Sequence, residues 1–303
     1  MVLKKDQRSA EQQEARLAWV LVLPALGSIV LIALFPLLWT VWESLHIHDL
    51  RMPWRGRPFV GLAHYIEAFT DARFWQAMWH TALFTVVSVI MELVLGLILA
   101  LVLHHAYRGR SVVRVAVLIP WAMPTVVVAL VWRLMFESPI GIVNAVFMDF
   151  GLMREPLLWF THPIAAWVPV ILADVWKTTP FVALLLLAGL QNIDTSLYEA
   201  ARIDGASPWQ QFIHITLPLL QPALLVALIF RTLDAFRVFD LIYVLTGGGP
   251  GTATEPIALY TFSILFQNLR FGFGAALSVM IFLVTFALAL LYIRVLGKDA
   301  VRA

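Results

Sequence analysis

Eight ionisable residues stand inside stretches that are otherwise apolar: Glu92, Arg133, Asp174, Lys177, Arg231, Asp234, Arg237 and Asp240. An ionisable group in hydrocarbon costs at least ~2.5–3.5 kcal/mol on insertion scales, so it normally faces the interior of a bundle and has a use. Four acids stand against four bases, so complete pairing into four structural ion pairs is equally open. Spacing separates the groups. Asp174, Lys177, Thr178 and Phe181 recur at i, i+3, i+4 and i+7, which is one stripe of a helix. Pro169 and Pro180 bracket the stripe and predict a helix bent or locally opened there. Arg231, Asp234, Arg237 and Asp240 alternate in sign every three residues. Each such step turns an α-helix by ~300°, so the whole ladder rotates the face by about half a circle. Asp234 and Arg237 can therefore share a face, whereas Arg231 and Asp240 point largely apart and are expected to be mainly structural.

The elements that carry these charges are membrane spans. The chain of 303 residues is 61% hydrophobic and only 13% charged, with a mean hydropathy of +0.85. Soluble domains average about 25% charged residues. A helix needs ~20 apolar residues to cross the hydrocarbon, and six segments supply them: roughly 17–42, 74–103, 112–136, 164–190, 219–245 and 273–296. No run alternates as a lipid-exposed barrel requires. The first run is too long for a signal h-region and lacks a small-residue cleavage site, so it is read as a retained helix. Residues 1–16 form a polar tail expected on the membrane surface. With no cysteine there is no disulfide, thiolate nucleophile or cysteine metal site, and a net charge of only +2 argues against nucleic acid.

An even number of spans puts both termini on one side. With the amino terminus inside, the inner connections hold Lys4, Lys5, Arg8, Arg16, Arg108, Arg110, Arg114, Arg202, Arg294, Lys298 and Arg302. The outer ones hold Arg51, Arg55, Arg57, Arg73, Arg154 and Arg270. That bias predicts cytoplasmic termini. Of the outer segments, 138–162 is broken by Gly141, Gly151 and Pro156 into a short helix, with Trp159 suited to the interface. The glycine-rich run 246–254 is no phosphate-binding loop, because it lacks the lysine followed by Ser or Thr.

One inner connection, 191–218, has a grammar of its own. Asp194 or Thr195 can cap a helix, Gly205 can supply a turn that Cβ-bearing residues resist, and Pro208 suits the first position of a second helix. Phe212, Ile213, Ile215 and Leu217 give that helix an apolar side before Pro218 and Pro222. Capping alone would make this an ordinary connector. Yet Glu199-Ala200-Ala201, Asp204-Gly205-Ala206, Phe212, Ile215, Leu217-Pro218 and Pro222 resemble, position for position, the EAA motif of binding-protein-dependent ABC importer permeases. The remainder is similar to the maltose and trehalose type of sugar permease, including Leu245-Thr246 and Gly248-Gly249-Pro250 after the fifth span. His64 and His80 stand where these permeases more often carry asparagine. A metal reading of the two would need further ligands, so they are taken as structural.

The resemblance implies an all-α membrane protein: the six-helix permease fold over 17–303, with a cytoplasmic coupling loop at 191–218 that docks on a separate ATPase. Counted outward from Glu199, Asp174, Lys177, Thr178 and Phe181 fall where maltose-type permeases touch the sugar from the fourth span. Allowing one residue fewer between Pro218 and Pro222, Asp234 and Arg237 fall on fifth-span contacts. Several are charged where the maltose permease uses amides or apolar groups. Carboxylates, Arg and Lys give charge-assisted bonds to hydroxyls, and Phe181 could pack on a pyranose ring. The implied partners are a second homologous permease, two ATPase subunits that carry ATP and Mg, an external sugar-binding protein and membrane lipid. No cofactor is expected on this chain, which has no Gly-x-x-x-x-Gly-Lys. An ion-coupled secondary sugar carrier would also use intramembrane carboxylates but would need internal repeats, and none is evident. A membrane transferase would need paired carboxylates or a histidine cluster at an interface.

Overall fold

Residues 17–105 and 109–295 are described by a computed structural model. The tail 1–16, Arg108, Lys298 and Arg302 lie outside the described residues. Helices dominate, and no strand occurs among the described residues. The helices are α1 (Leu17–Ser44), α2 (Ala63–Thr70), α3 (Ala72–His104), α4 (Arg110–Ala122), α5 (Thr125–Phe136), α6 (Ile142–Asp149), α7 (Trp167–Gln191) and α8 (Thr195–Ile203). They continue as α9 (Pro208–Leu219), α10 (Gln221–Ala235), α11 (Asp240–Leu245), α12 (Ile257–Gln267) and α13 (Phe271–Val295).

Four helices, α1, α3, α7 and α13, are long and apolar enough to cross a membrane alone, and two bent pairs raise the number to as many as six. The third expected span is one of these pairs. It breaks by 88° between α4 and α5, because Pro124 forces Met123 into an extended conformation (φ −71°, ψ 140°). The other pair is α9 and α10, bent by 62°. The fifth expected span also ends early. Its chain leaves the helix at Phe236 and re-enters at Asp240, with no proline or glycine at the break. Burial supplies a reason. Ala235, Phe236, Val238, Leu241, Ile242 and Leu245 are all buried, and on a continuous helix they would cover more than half the circumference. By contrast, α7 continues as one helix through Pro180, with no local opening there.

The chain forms two compact units, one from residues up to Thr70 with Ile264–Met280 and one from Asp71–Ser263 with the residues after Met280. In the first, isolated bridges join His46 to Phe59 and Asp49 to Arg270, and Arg270 pairs with Glu67 at 2.6 Å. In the second, α3 lies along α7 and α10 packs on both. Close approach is essential there: a Cβ on Gly96 of α3 would stand 2.6 Å from Val182 of α7, the small-residue contact typical of membrane helices.

Two connecting segments are tied down. Asn144 of α6 donates to the Leu157 carbonyl (3.0 Å) and accepts from the Trp159 indole (2.9 Å). Trp159 is thereby buried, edge-on to Phe136 at 5.0 Å. It is a packing residue and not the interfacial anchor expected. The glycine-rich loop is fixed by the Thr246–Thr254 hydroxyl contact (2.8 Å), by Trp167 donating to Ala253 O (3.0 Å) and by the Arg73–Glu255 ion pair (2.7 Å).

Candidate functional site

The intramembrane charges resolve into a buried hub and an open cavity. At the hub, Arg231 of α10 gives Glu92 of α3 a two-pronged bond, Nε to Oε2 at 2.5 Å and Nη2 to Oε1 at 2.8 Å. Nη2 also donates to Asp174 Oδ2 of α7 at 3.2 Å, and Nη1 donates to Asp234. The Thr178 hydroxyl lies 2.7 Å from Glu92 Oε1 and 2.6 Å from the Asp174 carbonyl. One guanidinium therefore clasps three helices, using the fork geometry that suits arginine to carboxylates. Side-chain exposure rises outward through the cluster: 0% at Glu92, 3% at Arg231, 12% at Asp174 and 62% at Asp234.

Where the exposure rises, a cavity of about 380 Å³ opens. Its charged and polar lining is Asp174, Lys177, Thr178, Asp234, Arg237 and Asp240, with Thr125 of α5 beside them. The volume is within the range of small-molecule pockets. Asp174, Lys177, Thr178, Asp234 and Arg237, selected from the sequence, thus share one wall system. Phe181 is not in that lining. It stacks on Trp121 at 5.6 Å and meets Phe230 edge-on at 6.4 Å.

Four structural ion pairs do not form. Arg231 serves three acids, Arg133 reaches Glu137 at 3.9 Å, and Lys177 makes no ion pair among the described residues. Asp240 corrects the rotation argument. That argument required one helix through 231–240, whereas the break at 236–239 turns Asp240 onto the cavity. Asp240 stands in the first turn of α11, where an acid is favoured by the helix dipole. Thr125 was missed because nothing in its local sequence separates it from other threonines, and Glu92 was noticed but not placed.

The second site is the two-helix connector. Asp194 caps α8 by accepting from the Ser196 N–H at 2.9 Å, a bond that holds its carboxyl below the ordinary carboxylate value. Glu199, Ala200 and Ala201 lie on α8. The helix closes with Gly205 at φ +79°, Gly205 N–H bonding Arg202 O at 3.1 Å and Ala206 N–H bonding Ala201 O at 2.9 Å. Those two bonds are the Schellman pattern, with Asp204 as the last cap residue. Ser207 and Gln210 then form a reciprocal capping box, and Pro208 takes the first helical position. The two helices are joined by Tyr198 and Thr216, whose hydroxyls are 2.9 Å apart. Phe212 stacks on Trp209 at 5.6 Å. Ile203 is 87% exposed and Trp209 68%, so the connector presents two large apolar side chains on its surface.

Several apolar spans, a polar cavity walled by their charges and a rigid connector with apolar knobs define a multi-pass membrane transport subunit. Residues 92–298 match the family described as binding-protein-dependent transport system inner membrane component. The chain is 46% identical over 284 residues to the trehalose/maltose transport system permease protein MalF of Thermococcus litoralis, covering 93% of this chain and 94% of that one. It is 41% identical over 299 residues to the trehalose transport system permease protein SugA of Mycobacterium tuberculosis, covering 97% and 93%. Among solved structures, a chain of a bacterial alginate ABC transporter in complex with an alginate pentasaccharide-bound periplasmic protein superimposes with a TM-score of 0.79. It has 23% identity, covering 93% of this chain and 94% of that one, so the two share a fold. The chain belongs to the binding-protein-dependent transport system inner membrane component family, as a permease subunit of an ABC importer.

Proposed function

We propose that this subunit passes a disaccharide or short oligosaccharide from an external binding protein to the cytoplasm, in company with a second, homologous permease. The observation that carries this reading is the cavity of about 380 Å³, with acids and bases interleaved around it. Interleaved charges can donate to and accept from the many hydroxyls of a neutral sugar at once. The similarity in sequence to trehalose/maltose and trehalose permeases supports the substrate class. The periplasmic partner of the alginate transporter supports delivery from outside.

Asp174, Lys177, Thr178, Asp234 and Arg237 are assigned to the sugar path, with Asp240 added and Phe181 kept as a ring one turn along α7. The connector 191–218, with both termini, is assigned to the cytoplasm. Glu199, Ala200, Ala201, Asp204, Gly205, Ala206 and Phe212 shape it to dock on one of two ATPase subunits, which bind ATP and Mg. Dimerisation of the ATPases on ATP would pull the connectors together and turn the spans outward. Arg231 ties α10 to α3 and α7, so movement reaching α10 through α9 would alter the spacing of the cavity walls. Sugar and ATP each drive the cycle only through unequal affinity for its two states.

The test is uptake of a panel of labelled disaccharides by vesicles holding the complete transporter. Asp234→Asn keeps the shape of an exposed carboxylate, so the complex should assemble at wild-type yield while its rate or sugar preference shifts. Unchanged uptake across the panel would remove Asp234 from the path.

A further inference from the structure

The connection after α1 holds an acid that the transport path does not use. Glu43 lies in the last turn of α1, its side chain only 9% exposed. Oε1 accepts from His48 Nδ1. The opposite edge of the ring fixes that proton, because Arg57 Nη2 donates to His48 Nε2 at 3.0 Å and a ring nitrogen that accepts cannot carry a hydrogen. Oε2 is buried and has no hydrogen-bond partner. Arg57 Nη1 stands 3.9 Å from it, beyond hydrogen-bond distance. Buried carboxylate oxygens are normally satisfied, so this one lacks a donor.

Glu43 lines a cavity of about 330 Å³ whose apolar walls include Trp39 and Phe271. Thr40 and Ser278 also line the cavity, but each spends its hydroxyl proton on its own helix, at Pro36 O (2.8 Å) and Gly274 O (3.0 Å). Toward the cavity both can only accept. Three acceptors thus sit beside one arginine whose side chain is 47% exposed. Phe35, Leu38 and Trp39, on the same end of α1, are exposed and apolar.

We propose that this cavity binds a phospholipid headgroup carrying a primary ammonium two carbons from its phosphodiester, as in phosphatidylethanolamine. The ammonium supplies the donor that Glu43 Oε2 lacks and has further N–H groups for Thr40 and Ser278. The phosphodiester pairs with Arg57, and the acyl chains follow the apolar end of α1. A choline headgroup has no N–H to give, and a glycerol headgroup brings no cation.

The complete transporter would be reconstituted in nanodiscs of phosphatidylcholine doped with either phosphatidylethanolamine or phosphatidylglycerol, then delipidated stepwise and weighed by native mass spectrometry. The expected result is ethanolamine lipid retained about ten-fold or more over the other two, with that preference lost in Glu43→Gln and in Arg57→Gln. Equal retention of all three lipids by the wild type would overturn the proposal without recourse to any variant. So would a preference that survives Glu43→Gln.

Discussion

Replacing Arg231 by methionine isolates the energetics of the hub. The side chains have similar length, so packing changes little, but four charge-assisted bonds disappear at once. Glu92, fully buried, would keep only the Thr178 hydroxyl as donor, and Asp174 would keep none from α10. Breaking a buried ion pair by removing one partner costs ~3–5 kcal/mol, which lowers the folded ratio roughly 140- to 4000-fold. Against a total stability of about 5–15 kcal/mol, Arg231→Met should sharply reduce the complex that survives solubilisation. The same reasoning requires partial rescue. In Glu92→Gln/Arg231→Met the charge stranded on Glu92 is gone, leaving only that on Asp174, while the Gln carbonyl can still accept from Thr178. The double variant should therefore be more stable than Arg231→Met alone. The assay is the fraction of monodisperse complex left across a temperature series, read by size-exclusion chromatography for both single variants and the double. Additive losses would refute the reasoning, because residues joined by two short bonds must couple.

Gly205→Ala meets nothing within 4 Å of the new Cβ, so its cost is the left-handed conformation alone, ~1–2 kcal/mol. It should insert at normal yield yet capture about ten-fold less ATPase in a pull-down, whereas Gly205→Asn, which tolerates that conformation, should capture nearly as much as wild type; equal capture by Ala would place the docking elsewhere. Asn144→Ala leaves the Trp159 N–H and the Leu157 backbone groups without their partner, a loss of ~1–3 kcal/mol per stranded group. Its thermal midpoint should fall while uptake at low temperature persists, and an unchanged midpoint would mean that water replaces the amide.

The connector was the most legible part of the chain. Its caps, its glycine and its proline act on neighbours within six residues, and each forms the bond its type and position require: Asp194 to Ser196, Gly205 to Arg202, Ser207 to Gln210. The spans were legible for a similar reason, since crossing hydrocarbon is a demand on length and composition alone. The break at Met123 could have been read from Pro124, because the proline restricts the residue before it whatever the surroundings.

The hub could not be read in this way. Glu92 and Arg231 are 139 residues apart, and nothing local states which of four bases faces which of four acids. Helical periodicity ranks residues by face only while the helix lasts, so the unmarked exit at Phe236 made the rotation of Asp240 wrong. That exit is a packing decision: the buried apolar residues from Ala235 to Leu245 need more than one helix face between them. Trp159 followed the same logic, since Asn144 offered its indole a buried acceptor that competes with the interface. Composition and short-range hydrogen bonding thus determined the class of protein and its connector. The cavity, the wall residues Thr125 and Asp240, and the arginine that holds three helices together were decided only when distant side chains met.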